Sequence, residues 1–479
     1  MKRISIRERY VSMPATVKAM FWFTACNILQ KGIQFVTVPV YTRLMSVSEY
    51  GTYNVFLSWH NFLIIFATLN MSGGCANVVM TKFSDRREEA ISSLQTLNII
   101  CTSLLFMIYL LTRCIWGDYL EMGLPMVTIL FLEYMLAPAF YFWSVRERFE
   151  YRYKNMVGVT LLMSLATPIL GVVAILSFED KSAAAMSSKC LVASIIGLCL
   201  LVLNYKKGKV AVDWEIWKFS LLFSLPLVPH YLAGNILNQS DRLMINAICG
   251  KSEAGIYSVA FTAGMALTII NSAVNQAFTP WEYEKIKQGR IKDIPAAATA
   301  LLEILALGYA LFIFSAPEIL KVFVTEEYHE AIYLIVPIAL GCYFFYFFGY
   351  FASVEYYYEQ SMYTMTGTLM ASVINIILNY IGIHLWGFQA AAYTTFFSYI
   401  FLSVFHYICM KHICKIKQIE EDFYDLQSFI RISVALCFTG FIVLAIYDWT
   451  FVRYLLVAAI SINLIMNKDQ LIKKVTCLK

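Results

Sequence analysis

Charge is the scarce ingredient of this sequence. Of its 479 residues only 14% are Asp, Glu, Lys or Arg, against roughly 25% in soluble domains. That shortfall, beside a 59% hydrophobic content, excludes an ordinary water-soluble fold. Long polar stretches are missing too: the longest run between apolar segments is roughly 20 residues, which leaves no room for a catalytic domain outside them. The twelve cysteines are scattered singly, from Cys26, Cys75 and Cys101 onward. No C-x-x-C pair and no His/Cys grouping of metal-ligand spacing occurs, so they read as small buried hydrophobes and no metal site is expected. A phosphate-binding Gly loop, a G-x-S-x-G elbow and the common metal motifs are likewise absent. No catalytic residue and no cofactor is therefore assigned. The formal charge of +5 is spread over short loops rather than one face, which argues against nucleic acid as a partner.

Apolar runs long enough to cross a bilayer, about 20 residues each, are what the chain has in abundance. They lie near 17–40, 52–71, 93–112, 123–143, 156–178 and 183–204, then 217–240, 255–278, 296–316, 331–352, 362–383 and 388–409, with two more near 429–447 and 450–467. The expected fold is an all-α integral membrane protein of about fourteen helices. Its expected domains are a six-helix lobe over 1–210, a second over 211–412, and two further helices with a tail over 413–479. Lys2, Arg3, Arg7 and Arg9 precede a stretch too long and too polar for a cleavable signal peptide, so it reads as the first helix.

Lys and Arg collect on the cytoplasmic side of membrane proteins, which tests the helix count. One set of alternate loops holds the N-terminal tail, Lys82/Arg86/Arg87, Arg146/Arg148/Arg152/Lys154, Lys206/Lys207/Lys209, Lys285/Lys287/Arg290/Lys292, Lys411/Lys415/Lys417 and Lys468/Lys473/Lys474/Lys479, about 25 basic residues. The other holds Arg43, Arg113, Lys181, Arg242, Lys251, Lys321 and Arg453, about seven. A missed helix would scramble this alternation. Both termini are expected in the cytoplasm.

The chain also matches itself. Ser48-Glu49-Tyr50-Gly51-Thr52-Tyr53 after the first helix corresponds to Ser252-Glu253-Ala254-Gly255-Ile256-Tyr257 after the seventh, 204 residues on. Ser144-Val145 with Phe149-Glu150 corresponds to Ser353-Val354 with Tyr358-Glu359, 209 residues on. Asn27, Gln30, Lys31 and Gln34 correspond to Asn235, Asn238, Gln239 and Arg242, each 208 residues on. The spacing i, i+3, i+4, i+7 puts each set on one helical face. An even number of helices per half gives repeats of like orientation.

Polar groups facing lipid are costly, so these two stripes are expected to face protein or a water-filled cavity. The amides are either cavity lining or glue between helices. Lys31, about 20 Å along its helix from the cytoplasmic end, either lines a cavity or snorkels outward. Arg242 is read as cavity lining held by Asp241, or the two form an interfacial ion pair. Glu133 and Glu303 are either coupling-ion carboxylates or partners of buried cations, and Lys189 near an outer helix end reads as a snorkelling residue. His60, His230 and His406 read as hydrogen-bonded structural groups. Pro39, Pro226 and Pro229 mark places where a helix can bend. The aromatic run Tyr343 to Phe348 and Tyr356 to Tyr358 suggests lipid or sugar contact, or an interfacial belt.

Pro39-Val40-Tyr41-Thr42-Arg43-Leu44-Met45 running into Ser48-Glu49-Tyr50-Gly51-Thr52-Tyr53 resembles the first hairpin of the oligosaccharide flippases, O-antigen flippases among them, of the multidrug/oligosaccharidyl-lipid/polysaccharide exporter superfamily. Pro226-Leu227-Val228-Pro229-His230, Ser240-Asp241-Arg242 and Ala254-Gly255-Ile256-Tyr257 resemble it in the second half. The resemblance implies two six-helix lobes around a central cavity that opens alternately inward and outward. It implies a polyprenyl-pyrophosphate-linked oligosaccharide as substrate, moved from the inner to the outer leaflet of the bacterial cytoplasmic membrane for O-antigen, capsule or exopolysaccharide synthesis. Implied partners are membrane lipid and the polymerase and glycosyltransferases of the same pathway. Carried onto this chain, the pyrophosphate-binding cations are Lys31, Arg242 and Arg43, among the cavity residues Asn27, Gln30, Gln34, Asn235, Asn238 and Gln239. Coupling to H+ or Na+ would fall to Glu133, Asp241 or Glu303. A cation-coupled multidrug exporter of the same fold is the main alternative, disfavoured because both stripes carry cations. A membrane glycan polymerase is the other, disfavoured because no large extracytoplasmic loop is present.

Cysteine accessibility labelling is expected to find the 144–155 and 281–294 loops cytoplasmic and the 241–254 loop outside. Labelling of all three from one side would overturn the topology.

Overall fold

Helix starts, breaks and ends coincide with the local chemistry the sequence supplies. The computed structural model describes residues 14–466. The basic tails carrying Lys2, Arg3, Arg7, Arg9 and Lys468 to Lys479, and with them the placement of the termini, lie outside the described residues. In chain order the long helices are α1 Ala15–Leu44, α2 Val47–Thr68, α3 Arg87–Leu111, α4 Leu124–Phe149, α5 Tyr153–Ser177, α6 Lys181–Gly208 and α7 Trp214–Ile248. They continue as α8 Lys251–Lys287, α9 Ile294–Phe323, α10 Ile332–Tyr357, α11 Ser361–Trp386, α12 Ala390–Ile416, α13 Leu426–Ala445 and α14 Thr450–Met466. Every apolar run of the sequence thus becomes a helix. Eleven helical spans among the described residues are long and apolar enough to cross a membrane. In α1 and α2 polar residues dilute the apolar run, and α14 has only 17 residues. The fold is all-α and membrane-embedded.

The chain separates into two compact units that divide inside α7, between Asn235 and Ile236. In the first, α6 packs against α2, α3, α4 and α5, while α1 lies chiefly on α5. In the second, α10 packs against α8, α9, α12 and α13, α11 lies on α12, and α14 lies on α9. The aromatic run divides along its helix: Phe344, Phe345 and Phe348 are half-buried and Tyr356 is exposed. Tyr343, Tyr346, Phe347, Tyr350 and Phe351 are buried in the core of the second unit, where edge-to-face contacts such as Tyr346 with Tyr350 at 5.2 Å fill the space around α10. Neither lipid nor sugar reaches them.

The internal repeat is written in the turns. At the start of α2 the Ser46 side chain accepts from the Glu49 N–H while the Ser46 N–H donates to the Glu49 carboxylate at 2.7 Å, a closed capping box. The matching position before α8 is Gly250, at φ 125°, with Glu253 three residues on. The glutamate stands at the same place in both helix starts, and the side-chain cap belongs to the first alone. At the end of α4, Arg152 N–H reaches Glu147 O and Tyr151, at φ 55°, reaches Arg148 O. At the end of α10, Gln360 N–H reaches Glu355 O and Glu359, at φ 60°, reaches Tyr356 O. Both are left-handed helix ends of the same type. They align 208 residues apart, one less than residue identities suggest and equal to the stripe offset.

Prolines set the bends. α4 turns at Ala137-Pro138, and α7 is interrupted by a 3-10 turn over Leu225–Leu227 that contains Pro226. α1 runs on through Pro39, whose carbonyl accepts from Arg43 Nη1 at 2.9 Å. At the bend of α4 the backbone of α6 comes close: a Cβ on Gly197 would collide with Leu136 O and Ala137 N. Gly197→Ala is expected to cost about 1–3 kcal/mol by overpacking, read as a lower thermal midpoint in detergent. Gly158→Ala, whose Cβ meets nothing within 4 Å, is the control and should be neutral or better. Equal midpoints for the two variants would overturn this account.

Candidate functional site

The two polar stripes have unlike environments. On α1, Asn27, Lys31 and Gln34 are exposed and Gln30 is half-buried. Lys31 makes no side-chain hydrogen bond or ion pair among the described residues, and its Cα stands about 24 Å along a 30-residue helix. A lone ammonium at such depth is tolerated only beside water or an anion, or where its stem lets it reach one. Arg43, in the last turn of α1, is exposed and bonds the Pro39 carbonyl. The C-terminal end of α1 is tied down by Lys181, whose Nζ donates to Leu44 O at 2.7 Å.

On α7 the equivalent positions turn inward. Asn235 Nδ2 donates to its own helix at Tyr231 O, 3.1 Å away. Arg242 is 7% exposed and is held on several sides: Nη1 donates to Gln239 Oε1 at 2.7 Å and to Asn238 O at 3.1 Å, and Nε to Ser258 Oγ at 3.2 Å. Its guanidinium also lies 4.5 Å from the centre of the Phe261 ring. Asp241, 1% exposed, accepts from Tyr257 Oη, from Thr395 Oγ1 at 2.8 Å and from Asn379 Nδ2 at 2.5 Å. Asn379 is held in turn by Asn375 at 3.1 Å. Asp241 is thus the centre of a polar network joining α7, α8, α11 and α12.

Glu133 lies in α4, 5% exposed. His60 of α2 and Lys189 of α6 both stand against its Oε1, at 3.1 and 3.3 Å. Lys189 therefore does not snorkel to the outside, because Glu133 and His60 offer it charge and a lone pair nearer than bulk water. Glu303 is half-buried in α9 and engaged by a partner. The structure therefore brings Asp241, Arg242, Asn238 and Gln239 together, and sets Glu133, Glu303 and the α1 stripe in separate surroundings.

Other buried ionisable groups escaped notice in the sequence. Glu355 and His406 pair at 2.8 Å with both side chains fully buried, and Thr364 donates to the same carboxylate at 3.0 Å. Arg146, fully buried, holds Glu88 at 2.5 Å. Glu282 accepts from Ser353 Oγ and Tyr424 Oη. Each lies at the end of an apolar run, where it reads as a loop charge. Arg453, 1% exposed, grips Glu318 with both Nη atoms, at 2.8 and 2.7 Å, and so docks α14 on α9.

This arrangement of helices is that of a known transporter class. The lipid II flippase MurJ, in an inward closed conformation, superposes with a TM-score of 0.65 at 12% identity over 95% of this chain and 99% of that one. An inward-facing multidrug resistance MATE family transporter of the MOP superfamily gives 0.63 at 12% identity over 82% and 96%. At such identities the likeness is one of fold. The polysaccharide biosynthesis protein family matches residues 16–285, and the chain belongs to that family. Its fold is one shared with solved membrane transporters, a lipid II flippase and multidrug exporters among them. An uncharacterized membrane protein of Haemophilus influenzae is 21% identical over 272 residues, 55% of this chain and 64% of the relative. Lsg locus putative protein 1 of the same organism is 28% identical over 124 residues, 24% and 31% of the two chains. The chain thus spans less than two thirds of either curated relative.

Asp241→Ala strands three buried donors and leaves Arg242 without a neighbouring negative charge. It is expected to cost roughly 3–5 kcal/mol and to lower the amount of folded protein in the membrane. Lys31→Ala removes no protein contact and should leave abundance unchanged. Quantitative blotting with fluorescence-detected gel filtration checks both, and equal abundance of the two variants would contradict the network's structural weight.

Proposed function

We propose that this chain flips a polyprenyl-pyrophosphate-linked oligosaccharide from the cytoplasmic to the outer leaflet of a bacterial cytoplasmic membrane by alternating access, with both termini in the cytoplasm. The observation that carries the reading is Lys31, an exposed cation without a protein partner at the middle of a membrane-length helix, flanked on its face by Asn27, Gln30 and Gln34. An ammonium suits a pyrophosphate as a point charge, and amides suit sugar hydroxyls. Arg43, exposed at the end of the same helix, supplies a second charge on the substrate's route. The product would feed O-antigen, capsule or exopolysaccharide synthesis, with a polymerase and glycosyltransferases as pathway partners.

A drug exporter for cations would place its exposed charge the other way, which keeps that reading second. Outward movement of a pyrophosphate is favoured by an inside-negative membrane, about 2.3 kcal/mol per charge per 100 mV. Coupling to H+ or Na+ would fall to Glu133, Asp241 or Glu303, the carboxylates available to it.

Lys31→Ala is expected to abolish export of lipid-linked glycan in a flippase-deficient strain while the protein remains abundant. Lys31→Arg should keep part of the activity, since charge survives and shape changes. Full export by Lys31→Ala would make the α1 stripe structural and sink the proposal.

A further inference from the structure

Two ionisable side chains from two helices of the first unit converge on one carboxylate oxygen of a third. His60 Nε2 lies 3.1 Å from Glu133 Oε1, Lys189 Nζ lies 3.3 Å from it, and Lys189 Nζ lies 3.2 Å from His60 Nε2. Tyr134 Oη donates to the His60 carbonyl at 3.0 Å and pins that turn of α2. The second oxygen, Glu133 Oε2, is buried without a hydrogen-bond partner among the described residues. Along their helices Lys189 and Glu133 stand at similar distances from the first residue, about 12 and 14 Å.

The donor chemistry restricts the protonation state. An ammonium has three protons and no lone pair, so Lys189 bonds His60 only if Nε2 offers its lone pair. Nε2 cannot accept from Lys189 and donate to Oε1 at once: with the proton on Nδ1, Lys189 donates to both Nε2 and Oε1, and with a proton on Nε2 that atom donates to Oε1 in competition with Lys189. The site then holds one positive and one negative charge. A proton arriving on Nε2 turns that atom into a donor aimed at Oε1. Lys189 loses one acceptor, faces a second cation at close range, and must compete with it for a single oxygen. Its flexible stem and 23% side-chain exposure make it the partner that leaves. With Lys189 in place Oε1 is surrounded by nitrogen and a hard metal cation, which wants several oxygen ligands, has no seat there; removal of Lys189 opens both Glu133 oxygens to one. The other titratable groups facing the site, Tyr53, Tyr134, Tyr141 and Cys190, ordinarily titrate above about pH 8.

We propose that Glu133, His60 and Lys189 form a proton-binding site whose resting occupant is a tethered cation: the Lys189 ammonium takes the place at Glu133 that a sodium ion would fill, and a proton on His60 displaces it. The proposal rests on reading the chain as a gradient-coupled transporter, and it selects the proton over sodium.

The test uses purified full-length protein in detergent and needs no glycan. Thermal midpoints are compared in sodium chloride and choline chloride of equal ionic strength. The wild type should ignore sodium. Lys189→Ala should be stabilised by it, because ligand binding to the folded state raises the midpoint, and the Lys189→Ala/Glu133→Gln double variant should lose that response. His60→Gln should flatten the wild-type dependence of the midpoint on pH between about 5 and 8. Should Lys189→Ala fail to fold, Lys189→Met keeps the stem and is read the same way. Stabilisation of the wild type by sodium, or a folded Lys189 variant indifferent to it, would overturn the site. A correct sodium and pH pattern in a protein that exports no glycan would instead overturn the substrate reading and leave this one standing.

Discussion

A charge placed among apolar helices must find a counter-charge, a set of hydrogen-bond partners or water, and this requirement organises the structure. The penalty for leaving an ion dry is several kcal/mol even after relaxation. Arg146 meets the requirement with Glu88, Arg453 with Glu318, and Lys189 with Glu133. Asp241 meets it with hydroxyl and amide donors from three other helices. These pairings also say which helices must stay together, since each spans two or more of them. Against that background Lys31, exposed and with no side-chain hydrogen bond or ion pair among the described residues, stands out.

The comparison of the two stripes sharpens the point. By the 208-residue offset, Lys31 corresponds to Gln239 and Gln34 to Arg242, so cation and amide have exchanged places one turn apart. In α7 the exchange lets Gln239 accept from Arg242 at 2.7 Å, and the guanidinium fork reaches a backbone carbonyl and a serine as well. Lysine offers a single point charge on a flexible stem and cannot brace itself in that way. The same ancestral face thus serves as an internal brace in one half and as an open surface in the other. The sequence reading gave both cations one role, because periodicity reports which residues share a face and not what covers that face.

Helix number, helix limits and the repeat were legible because they depend on local quantities: length of apolar run, cap residues and loop charge. What stayed hidden depends on contacts between distant segments. Lys189 reads as a snorkelling residue until α2 and α4 bring His60 and Glu133 to it across 129 and 56 positions. Of the aromatic run of α10, Tyr343, Tyr346 and Phe347 are core because other helices surround them, while Tyr356 is exposed. A sequence signal for the buried pairs did exist. Lys189, Glu133 and His406 all interrupt apolar helices, and opposite charges at such depth ask to be matched; which partner each takes is a tertiary fact.

The helix-end caps make Glu147 and Glu355 equivalent, and their partners differ in kind. Glu147 lies beside Arg146 and Arg152, at 3.4 and 4.0 Å, cations that keep their charge at any physiological pH. Glu355 faces His406 at 2.8 Å in full burial and accepts from Thr364 at 3.0 Å as well. Buried ion pairs contribute little net stability, so a histidine in place of an arginine is not explained by strength. The carboxylate at the repeated helix end is met by two cations in the first unit and by an imidazole and a hydroxyl in the second, so the backbone turn repeats while the polar chemistry beneath it does not.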